Sequence, residues 1–228
     1  MNNIRHCERG AERGNVFLFV MLGIALFAAL AFTVSRGTRS ESTTAMSERQ
    51  AELLATDILD YAQRLERGVN RLRRRNVSEN DISFDNSVVS GYDHTPARPD
   101  TDKLFNAAGG QVTWTSPPEK ANDGSEWVFT GRSCIPELGT GAAGCGSDGL
   151  DGTEELLAVL PNLKQAVCER INTKLGVGAI PASVASYSAV KYQGTFQDGT
   201  ELSNVTGLSA ACFSNGGAYH FYYALIIR

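Results

Sequence analysis

The chain has 228 residues, 42% of them hydrophobic, with a formal net charge of −4. That charge is split: residues 1–14 carry three Arg and two Glu, residues 36–75 nine Arg and six acids, and residues 76–228 nine basic and seventeen acidic groups, a net −8. An acidic C-terminal portion of about 150 residues is long enough for one domain with a core, and its sign disfavours nonspecific nucleic-acid binding.

In chain order, residues 1–14 (MNNIRHCERGAERG) are short and polar. Gly14 to Ser35 follows, GNVFLFVMLGIALFAALAFTVS, without a charged residue. As a helix it rises roughly 33 Å, enough to cross the hydrocarbon core of a bilayer. Three processing routes fit it. A secretory signal would be cut after Ala29-Leu30-Ala31, a signal anchor would stay uncut, and a leader cut after Gly14 would make Asn15 the new N-terminus. Arg5, Arg9 and Arg13 before the run are balanced by Arg36 and Arg39 after it, so the positive-inside count is weak. The later cysteines and the large domain place the N-terminus inside.

The stretch Arg36 to Arg49 is polar almost all round, and no proline interrupts the chain as far as Arg75. Leu54, Ile58, Tyr61, Leu65, Val69 and Leu72 step by three and four, the stripe of an amphipathic helix. The expectation is one continuous helix over residues 15–75, spanning roughly 90 Å. Arg71, Arg73, Arg74 and Arg75 end it, cations at the carbonyl end of the dipole.

All seven prolines lie at or after Pro96, and only five of the 23 glycines precede residue 91, which marks a loop-rich head over residues 76–228. Ile82–Phe84 and Val88–Val89 read as short extended pieces. Gln111–Thr115 and Glu126–Thr130 read as a hairpin with Trp114 and Trp127 on one sheet face. Leu156, Leu160, Leu163, Val167 and Ile171 follow a helical period broken by Pro161, giving a turn and then a helix from Pro161 that stops at Gly176. Tyr187–Tyr192, Cys212-Phe213 and the C-terminal Ala218–Ile227 read as strands, the last inside a sheet against the long helix.

Cys134, Cys145, Cys168 and Cys212, an even count beyond the apolar run, imply two disulfides in an oxidising compartment. Of three pairings, Cys134–Cys145 and Cys168–Cys212 are favoured over the others and over free thiols. Asp148, Asp151, Glu154 and Glu155 gather oxygen ligands on glycine-rich turns, but without EF-hand spacing, so no calcium or other metal is expected. His6, His94 and His220 are scattered, and no nucleophile, phosphate-loop or zinc motif occurs. The expectation is a protein with no cofactor and no catalytic site.

The leader ending in Arg13-Gly14, the apolar helix directly after it and the amphipathic continuation to about residue 75 resemble a type IV pilin or pseudopilin. Ala51–Leu59 and Trp127–Gly131 also look like bacterial pilin-like proteins. The resemblance implies an α+β fold in which a long N-terminal helix packs on an antiparallel-sheet head. It also implies cleavage between Gly14 and Asn15 by a prepilin peptidase, a single-pass inner-membrane location with the head in the periplasm or on an extracellular filament, and partners that are other pilin-like subunits joined through the N-terminal helix. One departure is specific. The family usually carries Glu at the fifth processed position, where this chain has Phe19. That absence implies a minor, tip or initiating subunit of a type IV pilus or type II secretion-like filament. The alternatives are a membrane-anchored periplasmic binding module that never assembles, or a secreted soluble protein with a cleaved signal peptide.

Overall fold

A computed structural model describes residues 19–29, 46–139, 154–197 and 199–228. The chain divides into two units, residues 1–47 and 48–228. The first contributes a helix, α1, over residues 19–29, all of them exposed. Among the described residues no helix is long and apolar enough to cross a membrane. The remainder of the Gly14–Ser35 run, and residues 1–13 before it, lie outside them.

The second unit begins with helix α2, Glu48–Arg74. Met46 and Ser47 ahead of it are not helical, so the expected unbroken helix over residues 15–75 is corrected here; residues 30–45 lie outside the described residues. The physical reason is in the pattern. Short helices are marginal without a face to bury, and the stripe begins only at Ala51. Leu54, Ile58, Tyr61, Leu65, Val69 and Leu72 are all buried, joined by Ala51, Ala55 and Ala62. The helix is therefore part of the core of the unit over residues 48–228. Asn76 closes it in the left-handed region (φ 63°), with Asn76 N–H donating to Arg73 O and Val77 N–H to Leu72 O, a Schellman closure. Gly68 is required where it stands, because a Cβ there would collide with Val112 and Leu104.

The sheet has five strands, β1 (Val128–Cys134), β2 (Glu155–Leu163), β3 (Thr200–Glu201), β4 (Ala210–Asn215) and β5 (Ala218–Ile226), in the order β3-β1-β2-β5-β4. β1/β2, β2/β5 and β4/β5 are antiparallel, while β1/β3 is parallel, so the sheet is mixed where an antiparallel one was expected. The second long helix, α3 (Gln165–Leu175), ends at Gly176 in the left-handed conformation (φ 73°), as the sequence predicts. α2 and α3 pack on one face of β4 and β5. Contacts there include Tyr61 with Trp127 (5.4 Å between ring centroids), Trp127 with Phe221 (6.4 Å) and Tyr223 Oη donating to Glu66 (2.7 Å). The opposite face buries Leu157, Val159, Ala211, Phe213, Tyr222 and Ala224 beneath Ile135, Leu138, Leu202 and Val205.

Three readings of the sequence are corrected. Leu156 to Leu160 is not helical but the centre of β2, buried at every residue. A short fully buried apolar run fits a strand and a helix equally by period, and length decides. Pro161, which lacks an N–H, sits at a bulge of β2: the register shifts between Leu160 and Leu163, and Asn162 takes φ 55°. Gln111–Thr115 forms no strand. Its backbone instead meets α2 and Leu104, through Thr115 N–H to Tyr61 Oη (3.0 Å) and Val112 N–H to Leu104 O (3.2 Å). Trp127 is core and Trp114 half-buried in that coil, so they do not share a sheet face. Tyr187–Tyr192 also stays outside the ladder, though Tyr192 N–H donates to Phe129 O (2.9 Å).

The bridge Cys168–Cys212 joins α3 to β4, closing a 44-residue separation, as favoured from the sequence. One turn further along α3, buried Asn172 donates Nδ2–H to Cys212 O (2.8 Å) and accepts Cys212 N–H on Oδ1 (2.7 Å). Asn172→Ala strands both backbone groups in the core. A loss of about 3 kcal/mol is expected, read as a lower urea midpoint with an unchanged slope, in the oxidised protein.

Candidate functional site

Gly14, Asn15, Cys145, Asp148 and Asp151 lie outside the described residues. Cys134, the last residue of β1, is buried and disulfide-bonded; the expected pairing with Cys145 falls outside the described residues. Cys168 and Cys212 are bonded to each other in the core. His220 is buried against Tyr187 and Phe213, with Nδ1 accepting Asn162 N–H (3.3 Å), and burial holds it below the usual imidazole range. His94 is buried at 9% exposure beside Tyr192, and burial lowers it too, followed by the Arg98 charge. Among the described residues no group of three or more His, Cys, Asp or Glu side chains is placed to hold a metal ion.

Surfaces through which this chain can meet another are constrained by how its sheet ends. β4 is an outer strand, yet Cys212 is saturated by Asn172. Ser214 exchanges bonds with the coil at 181–183: its N–H donates to Pro181 O (2.8 Å) and its carbonyl accepts Ser183 N–H (2.9 Å). At the other side β1 is covered by Tyr192 and Gln197, whose N–H groups reach Phe129 O and Gly131 O, and then by the two-residue β3. Unpaired edges are what strand addition needs, and at Cys212, Ser214, Phe129 and Gly131 the outward backbone groups are already occupied. Exposed large apolar side chains concentrate elsewhere, in α1: Phe19 and Phe27 are each 75% exposed, Ile24 and Leu26 each 60%.

The basic end of α2 has a use that the sequence did not show. Arg71 Nη1 donates to Gly110 O (2.6 Å), and Arg75 Nη1 donates to Ala108 O (2.7 Å) and Gly109 O (3.1 Å). Arg73 pairs with Glu79 at 3.0 Å. Two of the four cations thus hold the 106–113 loop by its carbonyls, charge-assisted bonds stronger than neutral ones. Composition could not reveal this, because the acceptors are main-chain atoms.

That loop borders an open groove of about 690 Å³, lined by Asn86, Ser87, Phe105, Gln111, Thr113 and Trp114 among others, none of them charged. Phe105 and Trp114 meet at 66° with centroids 5.0 Å apart, backed by Phe129. A second hollow, of about 250 Å³, lies along α2 at Asp57, Asp60, Tyr61, Arg64, Pro117 and Trp127.

Glu155, which the sequence groups with the acids of the 148–155 turns, has a different place. It opens β2 with no exposed surface, and Oε2 accepts the Ile135 N–H at 3.0 Å. Burial pushes its carboxyl up to about 7, aided by Glu154 and opposed by hydrogen bonds from Ile135 and its own amide and by Arg228. The folded state therefore binds this proton more tightly than the unfolded chain. Stability from this site is complete below the ordinary carboxylate range, falls as pH rises from about 4.5 to about 7, and is level above that. Glu155→Gln removes the dependence. Chemical unfolding at pH 5 and pH 8 should show the variant gaining relative to the parent at the higher pH, by on the order of 3 kcal/mol.

No family model, curated protein or solved structure matches this chain.

Proposed function

We propose that this protein is a minor pilin-like subunit, anchored by its N-terminal apolar segment and assembling through it into a type IV pilus or type II secretion-like filament. The observation that carries the reading is the uncharged run from Gly14 to Ser35, directly after Arg13-Gly14 and ahead of a disulfide-bearing acidic head. Within the run, the exposed Phe19, Met21, Leu22, Ile24, Leu26 and Phe27 supply a surface that lipid or neighbouring helices can cover. The work is hydrophobic and steric: a helix leaves lipid for a bundle of related helices while the heads pack outside.

Phe19 at the fifth processed position supports the minor role. A family Glu there neutralises the N-terminal amine of a neighbour inside the bilayer, where an unpaired charge is expensive. Lacking it, this chain does not supply the repeating contact of a major subunit and suits a tip or initiating place. The disulfide Cys168–Cys212 supports a head on the oxidising side of the membrane.

The processed N-terminus tests this. Intact-mass analysis from the native membrane should find a chain starting at Asn15, produced by a prepilin peptidase. An uncut start would favour an anchored binding module and a start at Phe32 a secreted protein. In purified filaments the protein should be far substoichiometric; a copy number equal to that of the major subunit would exclude the minor role.

A further inference from the structure

We infer that the groove beside Trp114 is a binding site for an uncharged saccharide. The head carries a net −8, yet the lining of this groove contains no charged side chain. Arg64, Arg67 and Arg71 line an adjoining hollow of about 220 Å³ that shares Gln111, Val112 and Thr113, so the charge-free lining is that of this groove alone. What the groove offers is two aromatic rings, Phe105 and Trp114, with amide and hydroxyl groups on Gln111, Thr113 and Ser87. Rings set against C–H faces, with neutral donors and acceptors at the rim, match the mixed apolar and hydroxyl-bearing surface of a sugar. Val88, 55% exposed, adds an apolar patch at the same rim. The volume of about 690 Å³ falls in the range of small-ligand sites.

The backbone gives independent support. Gln111 is held at φ 57°, a left-handed conformation that glycine takes freely and a glutamine takes at a cost of about 1 kcal/mol or more. Gly109 and Gly110 stand directly before it, and Arg71 and Arg75 fix their carbonyls. An exposed, strained glutamine thus stands on a clamped loop, at a position where glycine would carry no such strain. Its side chain is accounted for if the groove uses it. By contrast, Asn86 is occupied internally: Oδ1 accepts Val88 and Val89 N–H, and Nδ2 donates to Phe84 O. It shapes the wall. The inference concerns the head alone and stands or falls separately from filament assembly.

The test uses the full chain in a detergent without a sugar headgroup. It is titrated with chitotriose, maltotriose, cellotriose and N-acetyllactosamine, with sialyllactose and a heparin tetrasaccharide as charged controls, and a neutral-glycan array extends the set. At least one neutral saccharide should bind with saturation below about 10 mM. Trp114→Ala, Gln111→Gly and Thr113→Val should each weaken that binding fivefold or more. Gln111 and Thr113 are exposed, so Thr113→Val should keep the parent's thermal midpoint and Gln111→Gly should keep or raise it, even if Trp114→Ala does not fold. Absence of binding across the neutral set, preference for the charged controls, or unchanged affinity in Gln111→Gly and Thr113→Val would each overturn the inference. So would self-association that Thr113→Val abolishes with no saccharide bound, since a second copy would then be the occupant.

Discussion

Everything in residues 48–228 depends on one burial, the apolar stripe of α2 against the helix-facing side of β5 and its neighbours. Ile58, Leu65, Val69 and Leu72 are fully withdrawn from water, and Tyr61 reaches Trp127 and the backbone of Thr115. A stripe of this size is the main favourable term available to the fold. Its consequence for function is exclusion. An amphipathic helix that has spent its apolar face on its own sheet presents Asp57, Asp60, Arg64 and Arg67 outward, so α2 has no remaining apolar stripe to offer another chain. The exposed apolar side chains of α1 do have one.

The sheet is closed to partners in a similar way. Asn172 imitates a strand backbone, donating to and accepting from Cys212, and the disulfide from Cys168, one turn earlier on α3, fixes the helix to the same residue. The coil at 181–183 continues the covering to Ser214. An outer strand satisfied by a side chain cannot template a foreign strand. Strand donation onto these covered positions has little purchase.

Legibility in the sequence followed the length of the pattern. The stripe from Leu54 to Leu72 repeats over five turns and marked α2 correctly. The alternation of AYHFYYALII marked β5, and Gly176 marked the end of α3. The start of α2 at Glu48 has no mark in the sequence beyond the onset of the apolar stripe at Ala51, since no proline precedes it to end a helix. Leu156 to Leu160 misled because a strand buried on both faces has no alternation to display. The parallel β1/β3 pair, two residues long, carries no local signal. Asn172, Glu155 and the Arg71–Arg75 clamp act on backbone atoms distant in sequence, and residue type alone does not announce that. Trp114 was visible as an aromatic, but its place in a groove depends on the 106–113 loop folding back onto α2.

The claim on which the functional account turns is that the N-terminal apolar segment is an assembly surface. Photo-crosslinking from Phe19 or Phe27, each replaced by a photoreactive phenylalanine in the protein expressed in its native membrane, addresses it directly. The account predicts covalent adducts with other pilin-like subunits, at least one of them a different chain. Adducts with lipid alone, under conditions where filaments assemble, would contradict it.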